Sequence, residues 1–296
     1  MKSDTLKGII YSVISAVIYG IVPLMTKEIT SAQNATLSGS MAYRFLCSTV
    51  FVLVFVLWKK YPLRVTGTQF RDLLIFGAGT TVFTSTILVV SYRYISLGLA
   101  TACHFFYPIA VCIIMRILFR EKFHRLTYYA IFCTMAALAI LIYSYGTGSL
   151  TGMILAVLSG VGWGTYLIAF EKASYKVLEQ PVAIFYIMCM TLVCYVVYAV
   201  SMRTMYVPQT REIFYMVTSS LGLVTAMVLT AKGVSLIGSP SVAFISLFEP
   251  VTCVITDILF YRAIPQDIQW IGYVLMLLSI VLVTIADTSK NKAQES

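Results

Sequence analysis

Arg44, His104 and Glu249 each lie deep within a long hydrophobic run, while Arg116 and Asp257 lie nearer the ends of such runs. At the centre of a membrane helix a charged side chain costs at least about 2.5 to 3.5 kcal/mol, so each of these residues needs a partner or a purpose. Glu249 immediately precedes Pro250, and His104 stands four positions before Pro108. Proline has no N–H to give the carbonyl four residues back, so Pro250 frees the carbonyl of Ser246, Pro108 frees that of His104, and both helices bend. By their spacing of three and four, Ala100, His104, Tyr107 and Val111 share one helical face, and Val242, Ser246, Glu249 and Cys253 share another. The two faces together offer a titratable pair, a phenol and freed carbonyls to a polar solute. Of the pair, Glu249 is better placed to exchange protons, the usual office of an intramembrane carboxyl. The plainer reading makes the breaks packing kinks satisfied by Ser or Thr neighbours, and His104 a packing residue.

Arg44 does not give up its proton in practice, so it must be paired or hydrated. It either engages a substrate carboxylate or phosphate from a cavity or sits in a fixed salt bridge, for which Glu249 is a candidate partner. Two further faces, Ser15, Tyr19, Val22 and Ser159, Trp163, Tyr166, would wall such a cavity with aromatics, and Thr81, Thr84, Ser85, Ser219 and Thr225 would add hydroxyls. Walls of this kind suit an amphipathic small molecule, although the same spacing also serves helix packing.

The elements that must position these groups are membrane helices. Hydrophobic residues make up 59% of the chain and charged residues 11%, and long apolar runs recur over its whole length. Ten spans are expected, at about residues 8–27, 37–58, 71–92, 97–119, 126–143, 150–170, 181–202, 212–232, 240–261 and 267–286, most near the length of about 20 residues that crosses the hydrocarbon core. The formal charge of +9 is a matter of topology rather than of nucleic acid. The N-terminus, the C-terminus and the loops after spans 2, 4, 6 and 8 hold fourteen of the Lys and Arg residues; the alternate set holds Lys27, Arg93, Arg203, Arg211 and Arg262. That bias places both termini in the cytoplasm of a plasma-membrane (inner membrane) protein with many passes.

The apolar segments fall into two blocks of five. Gly8, Ser15, Tyr19 and Gly20 recur 144 positions on as Gly152, Ser159, Trp163 and Gly164, and Arg71-Asp72 recurs as Arg211-Glu212. A unit with an odd number of spans ends on the far side of the membrane, so its copy enters inverted. The expected architecture is therefore an all-α integral membrane protein of ten transmembrane helices in two inverted five-helix repeats, residues 1–146 and 147–296, divided at Tyr145-Gly146-Thr147-Gly148-Ser149. Inverted repeats are the build of secondary transporters, with the ligand site between the halves near the midplane, and paired helix breaks are its best sequence pointer.

The cysteines all lie within spans with no metal-ligand spacing, and no P-loop or HExxH motif occurs, so neither a cofactor, a metal nor a catalytic residue is expected. The partners expected are a small-molecule substrate, protons as a candidate coupling ion and the lipid bilayer, with no nucleic acid. An intramembrane enzyme and a non-transporting membrane subunit are the alternatives from other classes.

Arg44 in span 2, Tyr107-Pro108 followed by Phe119-Arg120-Glu121, and Leu247-Phe248-Glu249-Pro250, set in the duplicated layout, resemble the EamA-type branch of the drug/metabolite transporter superfamily. The resemblance covers nearly the whole chain. It implies export of amino acids or related metabolites through a basket-like bundle whose central cavity is lined by both halves. Nucleotide sugars or drug-like cations are the alternative substrate classes. The sequence departs from the family at Ala263, where the second repeat would carry a glutamate like Glu121.

Overall fold

The computed structural model describes residues 2–30, 36–146, 148–262 and 264–295, so Thr147 and Ala263 lie outside the described residues. Among the described residues, ten helical segments are long and apolar enough to cross a membrane: Asp4–Met25, Ser38–Trp58, Gly67–Ser91, Leu97–Leu118, Arg125–Ser144, Leu150–Lys172, Gln180–Ser201, Thr210–Ile237, Ser239–Phe260 and Asp267–Ser289. They are called spans 1 to 10 below. Among the described residues there is no strand, as the absence of water in a bilayer requires of any span that is not part of a closed barrel.

Two spans are divided. Span 4 consists of the helices Leu97–His104 and Tyr107–Leu118, with Phe105 and Phe106 between them. Span 9 consists of Ser239–Ile245 and Phe248–Tyr261, with Ser246 and Leu247 between them. Proline opens the second helix of each pair, where its missing N–H has no partner to lose. Span 3 carries a different irregularity, a wide π turn over Leu73–Gly79.

The repeats are interleaved rather than set side by side. Span 1 packs against spans 8 and 9, and its counterpart span 6 packs against spans 3 and 4. Span 2 pairs with span 7, and span 5 with span 10. Each of these pairings joins one repeat to the other, so neither half buries its own surfaces alone.

Two glycines allow close approaches at the broken spans. A Cβ on Gly20 would lie 2.8 Å from the Glu249 carbonyl oxygen, and one on Gly160 would lie 2.3 Å from that of His104. Small residues at membrane interfaces let backbones meet in this way, because apolar burial does not drive helices together in lipid. Elsewhere hydroxyls tie the bundle. At the end of the span 2–span 7 pair, Thr36 donates to the Thr204 carbonyl, Ser38 Oγ donates to Thr204 Oγ1 at 2.7 Å, and Tyr43 donates to the Tyr206 carbonyl at 2.5 Å.

Candidate functional site

The broken spans bring their flanking residues to the middle of the bundle. The fates of the two proline-freed carbonyls differ. Ser246 O accepts the N–H of Glu249 at 2.9 Å, which corrects the expectation that it stands free. The break tightens into a turn with three-residue spacing, and Glu249 supplies the proton that Pro250 cannot. His104 O has no such backbone donor among the described residues and lies against Gly160, whose hydrogen stands where a side chain would clash.

Glu249 is half-buried, and its carboxyl makes no hydrogen bond or ion pair among the described residues. It lies within electrostatic reach of the Tyr19 and Tyr107 hydroxyls and of Cys253. Arg44 is also half-buried, and its Nε is enclosed with no hydrogen-bond partner. Its charge reaches Tyr19 and Tyr195. No ion pair joins Arg44 to Glu249 among the described residues, so the salt bridge named above as one alternative is not formed in this state. Both charges converge on Tyr19.

Aromatic rings line this region in a continuous run. Tyr19 meets Trp163 edge-on at 5.8 Å, Trp163 stacks on Tyr166 at 4.9 Å, Tyr166 meets Phe170 at 5.1 Å and Phe170 meets Tyr175 at 5.4 Å. From Tyr166 to Phe170 every residue of span 6 is buried. At the corresponding positions of span 1, Val22 is buried, Pro23 is exposed, and Leu24 and Met25 are half-buried. Span 6 is therefore more enclosed over Tyr166–Phe170 than span 1 is over Val22–Met25. Burial, with Asp72 nearby, pushes the Tyr175 phenol up, so the outermost ring of the run is uncharged.

Several hydroxyls expected in a cavity wall are committed to the backbone instead. Thr84 Oγ1 donates to the Ser159 carbonyl at 3.2 Å across the span 3–span 6 contact, Ser15 Oγ meets the Ala226 carbonyl at 2.9 Å and Thr230 Oγ1 at 2.5 Å, and Ser246 Oγ donates to the Val242 carbonyl at 2.8 Å. A hydroxyl in a helix with no water at hand returns to a carbonyl. Around Arg44 and Glu249 the unsatisfied hydroxyls are phenolic: those of Tyr19, Tyr107 and Tyr166 are buried without hydrogen bonds of normal geometry, with Thr230 near the first and Ser246 near the second. His104 stands 5.8 Å from Tyr107, ring centre to ring centre, and is bonded through Nδ1 to Ser159 Oγ at 2.8 Å.

Tyr195 was not legible as a member of this group. It stacks on Phe45 at 5.2 Å, one position from Arg44, and its hydroxyl lies 3.4 Å from Thr86 Oγ1. It sits in an otherwise ordinary apolar span with no break or charge to mark it. Only the span 2–span 7 pairing brings it to the arginine.

Half-buried opposite charges, unsatisfied phenols and paired helix breaks at the centre of ten interleaved spans define a multi-pass membrane protein of the small-molecule transporter class. The sequence matches the EamA-like transporter family over residues 6–143 and 150–285, once for each five-span block, and the chain belongs to that family. It is thereby a membrane transporter of the drug/metabolite type with two repeats. No curated protein matches the sequence. A solved structure described only as the crystal structure of a protein shares the fold with a TM-score of 0.79 over 98% of this chain and 99% of that one, at 15% sequence identity.

Proposed function

We propose that this protein is a secondary transporter in the plasma membrane, with both termini in the cytoplasm, that exports amino acids or related small zwitterions by alternating access at the central cluster. The observation that carries the reading is the pair Arg44 and Glu249: opposite charges at mid-span, each without an ion partner among the described residues, converging on Tyr19. A solute bearing one carboxylate and one ammonium supplies both missing partners at once. Such charge-assisted hydrogen bonds are strong and directional, and the desolvated site is complete only when the solute is in it. Protons are the coupling ion, carried by Glu249.

Flux in reconstituted vesicles tests this. Purified protein is expected to move amino acids, and failure to move any of them unless a second protein is added would make it a subunit rather than the carrier. Arg44→Ala is expected to weaken flux of anionic and zwitterionic solutes by roughly tenfold more than that of neutral ones, the scale of one charge-assisted hydrogen bond. Equal loss for all three classes would make Arg44 a structural residue.

The ring series Trp163, Tyr166, Phe170 and Tyr175 is the closed gate on the cytoplasmic side. Phe170→Ala removes one of its inner members and leaves a cavity, a change that costs about 3 to 5 kcal/mol in well-packed cores. In a chain stripped of native cysteines, this variant is expected to let an impermeant thiol reagent supplied from the cytoplasmic side label a cysteine placed at Trp163. Labelling no faster than with Phe170 intact would show that the rings do not bar the path.

A further inference from the structure

The hydrogen bonds around Ser159 decide where the proton of His104 sits. Ser159 Oγ is buried, 2.6 Å from the carbonyl oxygen of Ala156 and 2.8 Å from His104 Nδ1. A serine hydroxyl has a single proton to give, and a carbonyl oxygen has none. Two oxygens approach to 2.6 Å only with a proton between them, so Ser159 donates to Ala156 and its lone pair faces the imidazole. His104 Nδ1 must then be the donor and carry a hydrogen. The surroundings hold this arrangement in place: Thr84 bonds the Ser159 carbonyl at 3.2 Å, and Gly160 lies against the His104 carbonyl.

The charge state follows from the setting. No carboxylate pairs with His104 among the described residues, Glu249 included, and a lone imidazolium at mid-span carries the cost of any unpaired membrane charge. A neutral ring that carries its proton on Nδ1 has a bare lone pair at Nε2. The ring is half-buried, and no protein group bonds Nε2 among the described residues. In the other half the equivalent position is Ser246, whose hydroxyl is spent on the Val242 carbonyl, so an acceptor of this kind exists in one repeat only.

We infer that His104 is a tautomer-locked hydrogen-bond acceptor in the central site, that Ser159 is the positioning residue that sets the tautomer, and that the site thereby favours solutes with an N–H or O–H donor over those without one. The selective role rests on the transport reading above; the lock itself does not. His104 is on this account an acceptor and not a proton carrier, which leaves proton exchange to Glu249.

Nitrogen NMR on histidine-labelled full-length protein tests the lock without any solute. The chain has two histidines, and His124→Gln leaves the signals of His104 alone. At neutral pH, Nδ1 is expected to be protonated and Nε2 bare, and Ser159→Ala is expected to move the population toward the Nε2–H form that free histidine favours in water. A proton on Nε2 of the parent, or on both nitrogens, overturns the lock. Flux then tests the selective role, with L-leucine and its N,N,N-trimethyl betaine, which has no N–H, as probes. Ser159→Ala is expected to raise KM about tenfold for leucine and leave that of the betaine unchanged, the effect of one lost hydrogen bond. In a His104→Gln background, whose amide has no ring tautomer, adding Ser159→Ala is expected to change neither. A wild type that moves no amino acid while the spectrum shows a bare Nε2 defeats the transport reading and leaves the lock standing; a leucine KM that ignores Ser159→Ala, with flux intact, overturns the selective role.

Discussion

Glu249→Gln is expected to abolish the pH dependence of flux and to lower proton-driven uptake roughly a hundredfold, the low end of what the loss of a positioned proton-transfer group costs an enzyme. The substitution keeps the volume and hydrogen-bonding shape of the side chain and removes only its capacity to ionise. Because the carboxyl makes no hydrogen bond or ion pair among the described residues, no structural contact is lost, and the variant is expected to elute and melt as the parent does. Downhill exchange of solute without a proton gradient should persist at a measurable rate. If pH dependence is unchanged in the glutamine variant, Glu249 does not carry the coupling proton.

Gly160→Ala is expected to destabilise the bundle by forcing two helix backbones apart. The added Cβ would stand 2.3 Å from the His104 carbonyl oxygen, 3.2 Å from its carbon and 3.4 Å from the Tyr107 nitrogen. All three are backbone atoms at a helix break, so no side chain can rotate aside, and span 6 must back away from span 4. Overpacking of a close interface costs about 1 to 3 kcal/mol and more where the backbone has to move. Gly222→Ala is the graded comparison, since its Cβ would meet only side-chain methyl carbons of Val22 and Ile18, at 3.2 and 3.5 Å. Gly67→Ala is the baseline, with nothing within 4 Å. The melting temperatures in detergent should fall in the order Gly67→Ala, Gly222→Ala, Gly160→Ala, and a Gly160 variant as stable as the Gly67 variant would mean that spans 4 and 6 do not meet as described. The same variant should also disturb His104, whose carbonyl it displaces.

The broken spans show how far local chemistry carries. Pro108 and Pro250 announce interruptions because a missing N–H is a property of one residue, and both interruptions fall within a few positions of those prolines. The fate of each carbonyl depends on what else is near. Ser246 O recovers a donor from Glu249, while His104 O meets a glycine from another span. Hydroxyls were the least legible feature. Thr84, Ser15 and Ser246 read as cavity groups by their spacing, yet each is bound to a carbonyl, because a hydroxyl out of water takes the nearest acceptor and spacing does not reveal which that is. Tyr195 gave no sign at all until the pairing of spans 2 and 7 set it beside Arg44.

What the sequence determined by itself was the ten spans, their duplication and the three mid-span ionisable residues, each set by hydropathy, by proline or by the expense of charge in lipid. Those are properties of a residue and its immediate neighbours, and they survive in any tertiary arrangement. The tertiary structure alone decided that span 1 lies with spans 8 and 9 and span 6 with spans 3 and 4, that Arg44 and Glu249 remain apart with Tyr19 reached by both, and that Ser159 orients the ring of His104. In lipid, apolar surface does not choose a partner, so helix pairing is settled by small residues and close-fitting shape between segments far apart in the chain. It is this fit, absent from any single stretch of sequence, that converts scattered polar residues into a site.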